Sequence, residues 1–274
     1  MIFSDYHVHT SFSADCKTDI EELIIKAKQL GMKSICFTDH NDKDFPDTPE
    51  GLLFDLEIDE YIDSLSELRR QHSEDGGIDI RIGVEQGVMP STCEVLDSYS
   101  KDHPGIDFII CSSHVVNGYD PYYPEYFEAC PDEKTAYRQY FETILYNVTN
   151  FNDYNVYGHL DYILRYGPTK ADNFDVCDYM ELFEVIFKNI IEKGKGIEIN
   201  TGSLYRGMDF MHPHIGLLRM YRDMGGEIIT VGSDTHDVKH LGYAFDSARK
   251  LLISEGFKYI CEFKAMKPQF ITIE

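Results

Sequence analysis

Histidine and carboxylate side chains recur along this sequence beside short apolar segments. Six histidines share that setting, and they are His7, His9, His40, His114, His159 and His236. Glu85 and Asp234 occupy the same kind of position. Imidazole and carboxylate ligands together suit Zn, Fe or Mn. A cluster of such groups without cations would leave polar and charged atoms poorly compensated, so the residue types predict a site for several divalent metal ions rather than a metal-free polar cluster.

Two pairs of these residues have the spacing of ligands on one strand. One residue separates His7 from His9, and one separates Asp234 from His236. Side chains at positions i and i+2 of a strand lie on the same face. We therefore expect each pair to bind one ion.

Short apolar segments alternate with longer segments of helical periodicity. The predicted strands are 2–6, 34–37, 78–84, 108–111, 156–158, 196–199 and 227–231, with two more in the tail at 259–263 and 270–273. The predicted helices are 19–30, 59–72, 93–103, 132–150, 175–193, 213–224 and 238–254. Such alternation is typical of an α/β fold with a parallel sheet. In a parallel barrel the carboxyl ends of the strands converge on one mouth, where we expect the histidines and carboxylates to meet.

Two predicted loops are unusually long. They span 41–57 and 115–133 and are rich in Pro, Asp and Tyr. Loops of this length in compact domains are more often lids or binding loops than plain connections. The second carries Tyr119, Tyr122, Tyr123 and Tyr126, which either contact a ligand or anchor the loop on the rim.

Five histidines fall outside this pattern. They lie in or beside predicted helices, and they are His72, His103, His212, His214 and His240. We expect ordinary surface or helix-capping roles for them. His212 and His214 follow the sixth strand closely, so one of the two could reach the mouth.

The composition indicates which classes of partner the protein is suited to bind. The 274 residues include 25 Lys and Arg against 48 Asp and Glu, a formal net charge of −23. This acidity disfavours binding to nucleic acid or to an anionic membrane, because both need clustered basic residues. The length suits one barrel domain spanning residues 1–274. Widely spaced cysteines, seven in number, favour free thiols. The first residues show no basic and apolar leader pattern, and no later stretch approaches 18 apolar residues, so we expect a cytoplasmic location. The oligomeric state is left open.

Several motifs together resemble one known family. The segments are DYHVHT at 5–10, FTDH at 37–40, GVEQG at 83–87, SSH at 112–114, GHLD at 158–161, IEINT at 197–201 and GSDTH at 232–236. In this order they are similar to the PHP superfamily of polymerases and histidinol phosphatases, over nearly the whole chain. The resemblance implies a distorted TIM-like (β/α)7 barrel. It also implies two to three divalent transition-metal ions, Zn, Fe or Mn, at the carboxyl ends of the strands.

The resemblance implies a set of ligands for each ion. A first ion would take His7, His9, Glu85 and Asp234, and a second would take Glu85, His114 and His159. A third would take Asp15, His40 and His236. Many relatives have histidine where this chain has Asp15, so the third site departs from the family pattern.

Within the superfamily the sequence looks most like the monofunctional histidinol-phosphatases. The implied reaction is hydrolysis of L-histidinol phosphate, a small phosphate monoester, by a hydroxide shared between two ions. Glu85 would bridge the ions, and Asp234 would also orient the hydroxide. Arg165 and Arg206, after strands five and six, would bind phosphate oxygens. Asp161 would orient His159 or donate a proton to the leaving oxygen.

Two other functions share the same metal ligands. One is a PHP phosphoesterase that acts on nucleotides or nucleic-acid ends, against which only the acidic charge and the absence of a basic groove argue. The other is a non-catalytic, metal-binding regulatory protein. A degenerate barrel would be expected to lose ligands first, so the complete set disfavours it.

Overall fold

The computed structural model describes residues 4–73 and 77–273, and seven of its strands form one parallel sheet. The strands are β1 (Ser4–Val8), β2 (Ser34–Asp42), β3 (Asp79–Gly87), β4 (Phe108–Ser112), β5 (Val156–Tyr157), β6 (Gly196–Asn200) and β7 (Ile229–Gly232). They pair in sequence order, β1 to β7. A parallel bridge between Val8 and Thr235 joins the ends of the sheet. The predicted distorted (β/α)7 barrel is therefore confirmed.

Helices surround this sheet on the outside. The α-helices are α1 (Ile20–Gln29), α2 (Ile58–His72), α3 (Cys93–Leu96), α4 (Tyr99–Asp102), α5 (Pro124–Glu128), α6 (Glu133–Asn150), α7 (Met180–Glu192), α8 (Gly202–Tyr205), α9 (Ile215–Asp223) and α10 (Phe245–Ser254). Short 3-10 helices span Tyr162–Arg165, Val176–Tyr179 and Val238–His240. No helix in the described part of the chain is both long enough and apolar enough to span a bilayer.

Helix α1 illustrates how local sequence sets these boundaries. The Asp19 side chain caps the helix by accepting hydrogen bonds from the backbone N–H groups of Glu21 and Glu22. Gly31 has a φ of +73°, a conformation that ends the helix at little steric cost. The buried face is apolar and includes Leu23, and it packs against the sheet in the main core.

Strands β2 and β3 extend beyond their apolar segments, and this places polar residues inside the barrel. The predicted strands ended at residues 37 and 84, but the pairing continues in register to Asp42 and Gly87. A Cβ atom at position 87 would overlap the Asp42 carboxylate, so glycine is required there. The extension fixes His40, Asp42 and Glu85 on rigid strands.

Some predicted helices are interrupted. The segment 93–103 forms the two short helices α3 and α4, and 175–193 begins with a 3-10 turn. The segment 238–254 is broken before α10, where Gly242 and Ala244 have φ values of +65° and +57°. Residues 2 and 3 of the first predicted strand lie outside the described residues.

The tail forms the predicted pair of strands as an antiparallel hairpin, β8 (Tyr259–Lys264) and β9 (Lys267–Thr272). The Tyr6 hydroxyl donates to the Phe263 carbonyl at 3.1 Å. The Asp107 carboxylate, just before β4, accepts the Ala265 N–H at 2.9 Å. The hairpin therefore covers the amino-terminal end of the barrel and leaves the opposite mouth open.

Candidate active site

Glu85, on β3, lies at the centre of the mouth. Its side chain is buried. Five imidazole nitrogens lie within 3.5 Å of one of its carboxylate oxygens, and they belong to His7, His9, His40, His114 and His159. The two oxygens divide these contacts. His7, His9 and His40 face Oε2, whereas His114 and His159 face Oε1.

The donor atoms of this cluster fit metal ions. Buried nitrogens without a hydrogen-bond partner among the described residues include Nε2 of His7, His9 and His236, Nδ1 of His40 and Nδ1 of His159. Three groups have ligand atoms within 4.8 Å of one another: His9–His40–His236, His7–His9–Glu85 and His40–Glu85–His114. Buried polar atoms are normally hydrogen-bonded. Converging, unpartnered imidazole nitrogens are therefore suited to bind cations.

The electrostatics of the cluster also favour cations. Burial alone would lower the pKa of His7 and of His114, but the neighbouring carboxylates outweigh it and raise both well above the usual range. Burial would raise the pKa of Glu85, but the imidazoles of His7, His114 and His40 hold it well below its usual range. The pKa of His9 is well below normal because of burial and of His236 and His40 beside it. Positive charge is thus favoured around Glu85.

Asp15 comes together with two histidines at the outer edge of the mouth. Its Oδ2 lies 3.2 Å from His236 Nε2 and 3.8 Å from His40 Nε2. Burial would raise the pKa of Asp15, but His40 and His236 lower it to about 2. The carboxylate is thus held ionised between two imidazoles, where it can serve as an oxygen ligand.

Asp234 connects the histidines to two arginines. Its φ of +53° turns the chain sharply after β7. Its Oδ1 lies 3.8 Å from both His9 Nε2 and His236 Nδ1. Its Oδ2 accepts from Arg206 Nη1 at 3.1 Å and from Arg165 Nη2 at 3.5 Å. Burial would raise its pKa, but Arg206, His7 and Arg165 hold it well below normal. The carboxylate therefore stays charged and orients both guanidinium groups.

The mouth opens into a cavity of about 420 Å³. Both arginines and the metal-ligand candidates Asp15, His40, Glu85, His114, His159, Asp234 and His236 line it. Both long loops contribute as well, through residues that include Phe54 and Tyr122. Tyr126 instead anchors its loop, because it is buried and its hydroxyl donates to the Ala136 carbonyl at 2.6 Å. The anchoring role is therefore confirmed for Tyr126, whereas contact of Tyr122 with a ligand stays a prediction.

Two carboxylates that the sequence analysis did not assign support the histidines from outside. His7 Nδ1 donates to Glu198 Oε1 at 2.6 Å, and His114 Nδ1 donates to Asp42 Oδ1 at 2.6 Å. Such bonds fix the tautomer and the ring orientation of a metal-ligating histidine. The motif IEINT contains Glu198, which lies within β6. The sequence predicts a loop at Asp42 and gives no signal for its partner.

Asp161 does not have its expected partner. Its Oδ1 accepts from His212 Nδ1 at 2.6 Å, and its Oδ2 accepts the His214 N–H at 2.7 Å. The prediction that it orients His159 is therefore wrong, since both oxygens are occupied elsewhere. It is fully buried and does not line the cavity, so it also lacks a route to a leaving group.

The expectation of a surface or capping role is also wrong for His212, which is fully buried. A backbone bridge to Asn200 holds it behind the end of β6. His214 does cap α9, by accepting the Gly216 N–H at 3.2 Å.

Comparisons with known proteins agree with this geometry. The PHP domain matches residues 5–202. The histidinol-phosphatase of Lactococcus lactis is 32% identical over 263 residues, covering 96% of this chain and 95% of that protein. The histidinol-phosphatase of Saccharomyces cerevisiae is 19% identical, covering 93% of this chain and 90% of that protein.

A solved structure gives the same result. The crystal structure of the L. lactis histidinol phosphate phosphatase, complexed with zinc, L-histidinol and phosphate, superposes with a TM-score of 0.85 at 30% identity. The match covers 97% of this chain and 98% of that one. With its barrel, its converging histidines and its motifs in order, this chain belongs to the PHP family.

Proposed function

We propose that this protein is a metal-dependent phosphatase that hydrolyses L-histidinol phosphate to L-histidinol and phosphate. One observation carries the proposal: an imidazole–carboxylate cluster and two arginines, Arg165 and Arg206, share one cavity. Phosphate monoesters need both charge neutralisation and a nucleophile, and these groups would provide both. The relatives named as histidinol-phosphatases support this choice of substrate.

For the metal ligands we propose the sets that the resemblance to the PHP family implies, and the proximity of these side chains supports them. We assign His7, His9, Glu85 and Asp234 to one ion, Glu85, His114 and His159 to a second, and Asp15, His40 and His236 to a third. The donor set suits Zn, Fe or Mn. Such ions, when bound, lower the pKa of water and neutralise charge on phosphoryl oxygens.

The protein's own residues position the phosphate. Arg165 is buried, and its guanidinium lies 5.0 Å from the centre of the Tyr162 ring. The Arg206 guanidinium donates one hydrogen bond to the Asp234 carboxylate and one to the Asp234 backbone carbonyl, each at 3.1 Å. Two pre-oriented guanidinium groups can bind phosphoryl oxygens through paired hydrogen bonds without losing much side-chain entropy. The carboxylate of Asp234, held ionised, also accepts a hydrogen bond from the nucleophile and orients it.

The substrate assignment is tested by comparing esters. We expect kcat/KM for L-histidinol phosphate to exceed that for nucleoside monophosphates, because the relatives that resemble this chain over nearly its whole length are histidinol-phosphatases. Steady-state phosphate release by the purified, metal-analysed protein measures both. Equal or faster turnover of the nucleotides would favour the alternative phosphoesterase, and no turnover of any ester would favour a binding protein.

Arg206→Ala tests the role of the guanidinium. We expect kcat/KM to fall by roughly 10- to 100-fold, the value of a hydrogen bond between charged groups. The metal content should change little, because Arg206 is not itself one of the proposed metal ligands. Arg70→Ala, at an exposed position of α2, is the matched control. An unchanged kcat/KM in Arg206→Ala would remove this residue from the site.

We also infer that residues 1–274 form one domain that acts in the cytoplasm. In support, one apolar core reaches from Val8 in β1 to Ile273 in the tail. All seven cysteines are free, as is usual in a reducing compartment.

A further inference from the structure

The cavity carries opposite charges on its two sides. Arg165 and Arg206, which follow β5 and β6, contact Asp234 after β7. Two carboxylates, Glu50 and Asp120, line the same cavity from the loops after β2 and β4. A ligand that carries both an anionic and a cationic group would match this arrangement.

Most carboxylates of the cavity already have partners. Glu85, Asp15, Asp42 and Asp234 contact imidazoles or arginines. Glu50 Oε2 accepts a hydrogen bond from the Tyr123 hydroxyl at 2.5 Å. Neither Glu50 nor Asp120 forms an ion pair with a Lys, Arg or His of residues 4–73 and 77–273, but Asp120 is the half-buried one of the two, whereas Glu50 is exposed. The negative charge of Asp120 is therefore available to bind a cationic group of a ligand.

Asp120 is held firmly in place. The backbone groups of Val116 and Tyr119 form two mutual hydrogen bonds, of 2.8 and 3.0 Å, that fix the turn before it. Its Oδ1 accepts the Tyr122 N–H at 2.8 Å, which orients the carboxylate. A group fixed in this way loses little entropy when it binds a ligand.

The surroundings of Asp120 favour a cationic ligand. Burial raises the pKa of this carboxyl to about 6, because it lacks the hydration that stabilises the charged form. Aromatic rings line the same cavity. The Tyr122 ring lies 5.0 Å from that of Tyr123 and 5.4 Å from that of Tyr166. An ammonium ion can form a charged hydrogen bond to the carboxylate and also contact aromatic faces.

We propose that Asp120 binds the ammonium group of a phosphorylated amino alcohol and so selects this class among phosphate monoesters. The proposal rests on the proposed function, because L-histidinol phosphate carries a primary ammonium group near its ester oxygen. With the phosphate at Arg165 and Arg206, the ammonium group lies toward the side of the cavity formed by β2 to β4.

The test compares two substrates that differ in the ammonium group alone. They are L-histidinol phosphate and 3-(imidazol-4-yl)propyl phosphate, which lacks the amine. Asp120→Asn keeps the acceptor for the Tyr122 N–H but removes the charge. We expect kcat/KM of this variant to fall about 10- to 100-fold for histidinol phosphate and to change less than about twofold for the analogue.

Two controls accompany this variant. Glu94→Gln removes one exposed carboxylate from α3, so it reports any effect of net charge alone. Asp120→Glu keeps the charge and should recover part of the preference for histidinol phosphate. Elemental analysis should find the same metal content in all variants.

The outcomes separate this proposal from the one on which it rests. An equal loss on both substrates, or no loss on either, would overturn the role of Asp120 while wild-type turnover of histidinol phosphate upheld the function. A wild-type enzyme that does not hydrolyse histidinol phosphate would overturn both proposals.

Discussion

Replacement of Glu85 by alanine is expected to lower kcat by at least about 10³-fold. Divalent ions supply several kcal/mol of transition-state stabilisation in hydrolytic sites, and each 1.36 kcal/mol is a factor of ten. The Glu85 carboxylate lies within 3.5 Å of five imidazoles, so its loss removes the negative charge that they share. Elemental analysis of the variant should show the loss of two ions relative to wild type, beside the kinetic measurement.

Two comparisons make this result specific. Glu94→Ala, on an exposed turn, should retain both metal and activity. Wild-type protein treated with a chelator should match the Glu85→Ala variant in rate, and it alone should recover when metal is added back. If Glu85→Ala kept its full metal content and turned over substrate at the wild-type rate, the assignment of the bridging ligand would be wrong.

The histidine cluster could be predicted from the sequence because of a property of parallel barrels. His40, Glu85 and His159 are far apart along the chain, but each lies at the carboxyl end of a strand. Converging strands bring such residues together whatever the details of packing. The fold and the candidate ligands thus need only the alternation of segments and the types of residue that end them.

The carboxylates that hydrogen-bond to these histidines could not be predicted from the sequence. Asp42 meets His114 because β2 and β3 continue pairing past their apolar segments, to Asp42 and Gly87. Asp161 meets His212 because a backbone bridge to Asn200 holds the histidine behind the barrel wall. Register and backbone bridges depend on the packed structure, so local patterns gave Asp161 the wrong partner and left Asp42 in a loop.

The arginines and the acidic side of the cavity could be predicted from the sequence in part. Arg165 and Arg206 follow strands, so their approach to the mouth was predicted, and both line the cavity. Asp120 lies in a loop that was expected to bind a ligand, but its selection among the acidic residues there depends on which carboxylates already have partners. Only three-dimensional contacts supply that information.

Glu198→Ala should separate support of the metal ligands from ligation itself. Glu198 is buried, and its Oε1 accepts a hydrogen bond from His7 Nδ1 at 2.6 Å. Its Oε2 accepts from the His159 N–H at 3.0 Å and from Asn200 Nδ2 at 3.1 Å. Loss of a carboxylate that orients a ligating histidine typically weakens metal binding by about 10- to 100-fold. Competition with a chelator measures that affinity directly.

The same variant should also be less stable without metal. Removing Glu198 leaves two buried donors, His7 Nδ1 and the His159 backbone N–H, without an acceptor, and each unsatisfied group costs about 1–3 kcal/mol. We therefore expect urea denaturation of the metal-free variant to show a free energy of unfolding lower by roughly 3 kcal/mol.

Glu198→Gln is the matched control, because its amide oxygen can still accept one of the three hydrogen bonds. A metal affinity between those of wild type and Glu198→Ala would agree with a positioning role for the carboxylate. Wild-type affinity in Glu198→Ala would instead show that His7 keeps its orientation without this partner. Packing around the ring, from His9 at 5.0 Å and His159 at 5.8 Å, would then be sufficient to hold the ligand.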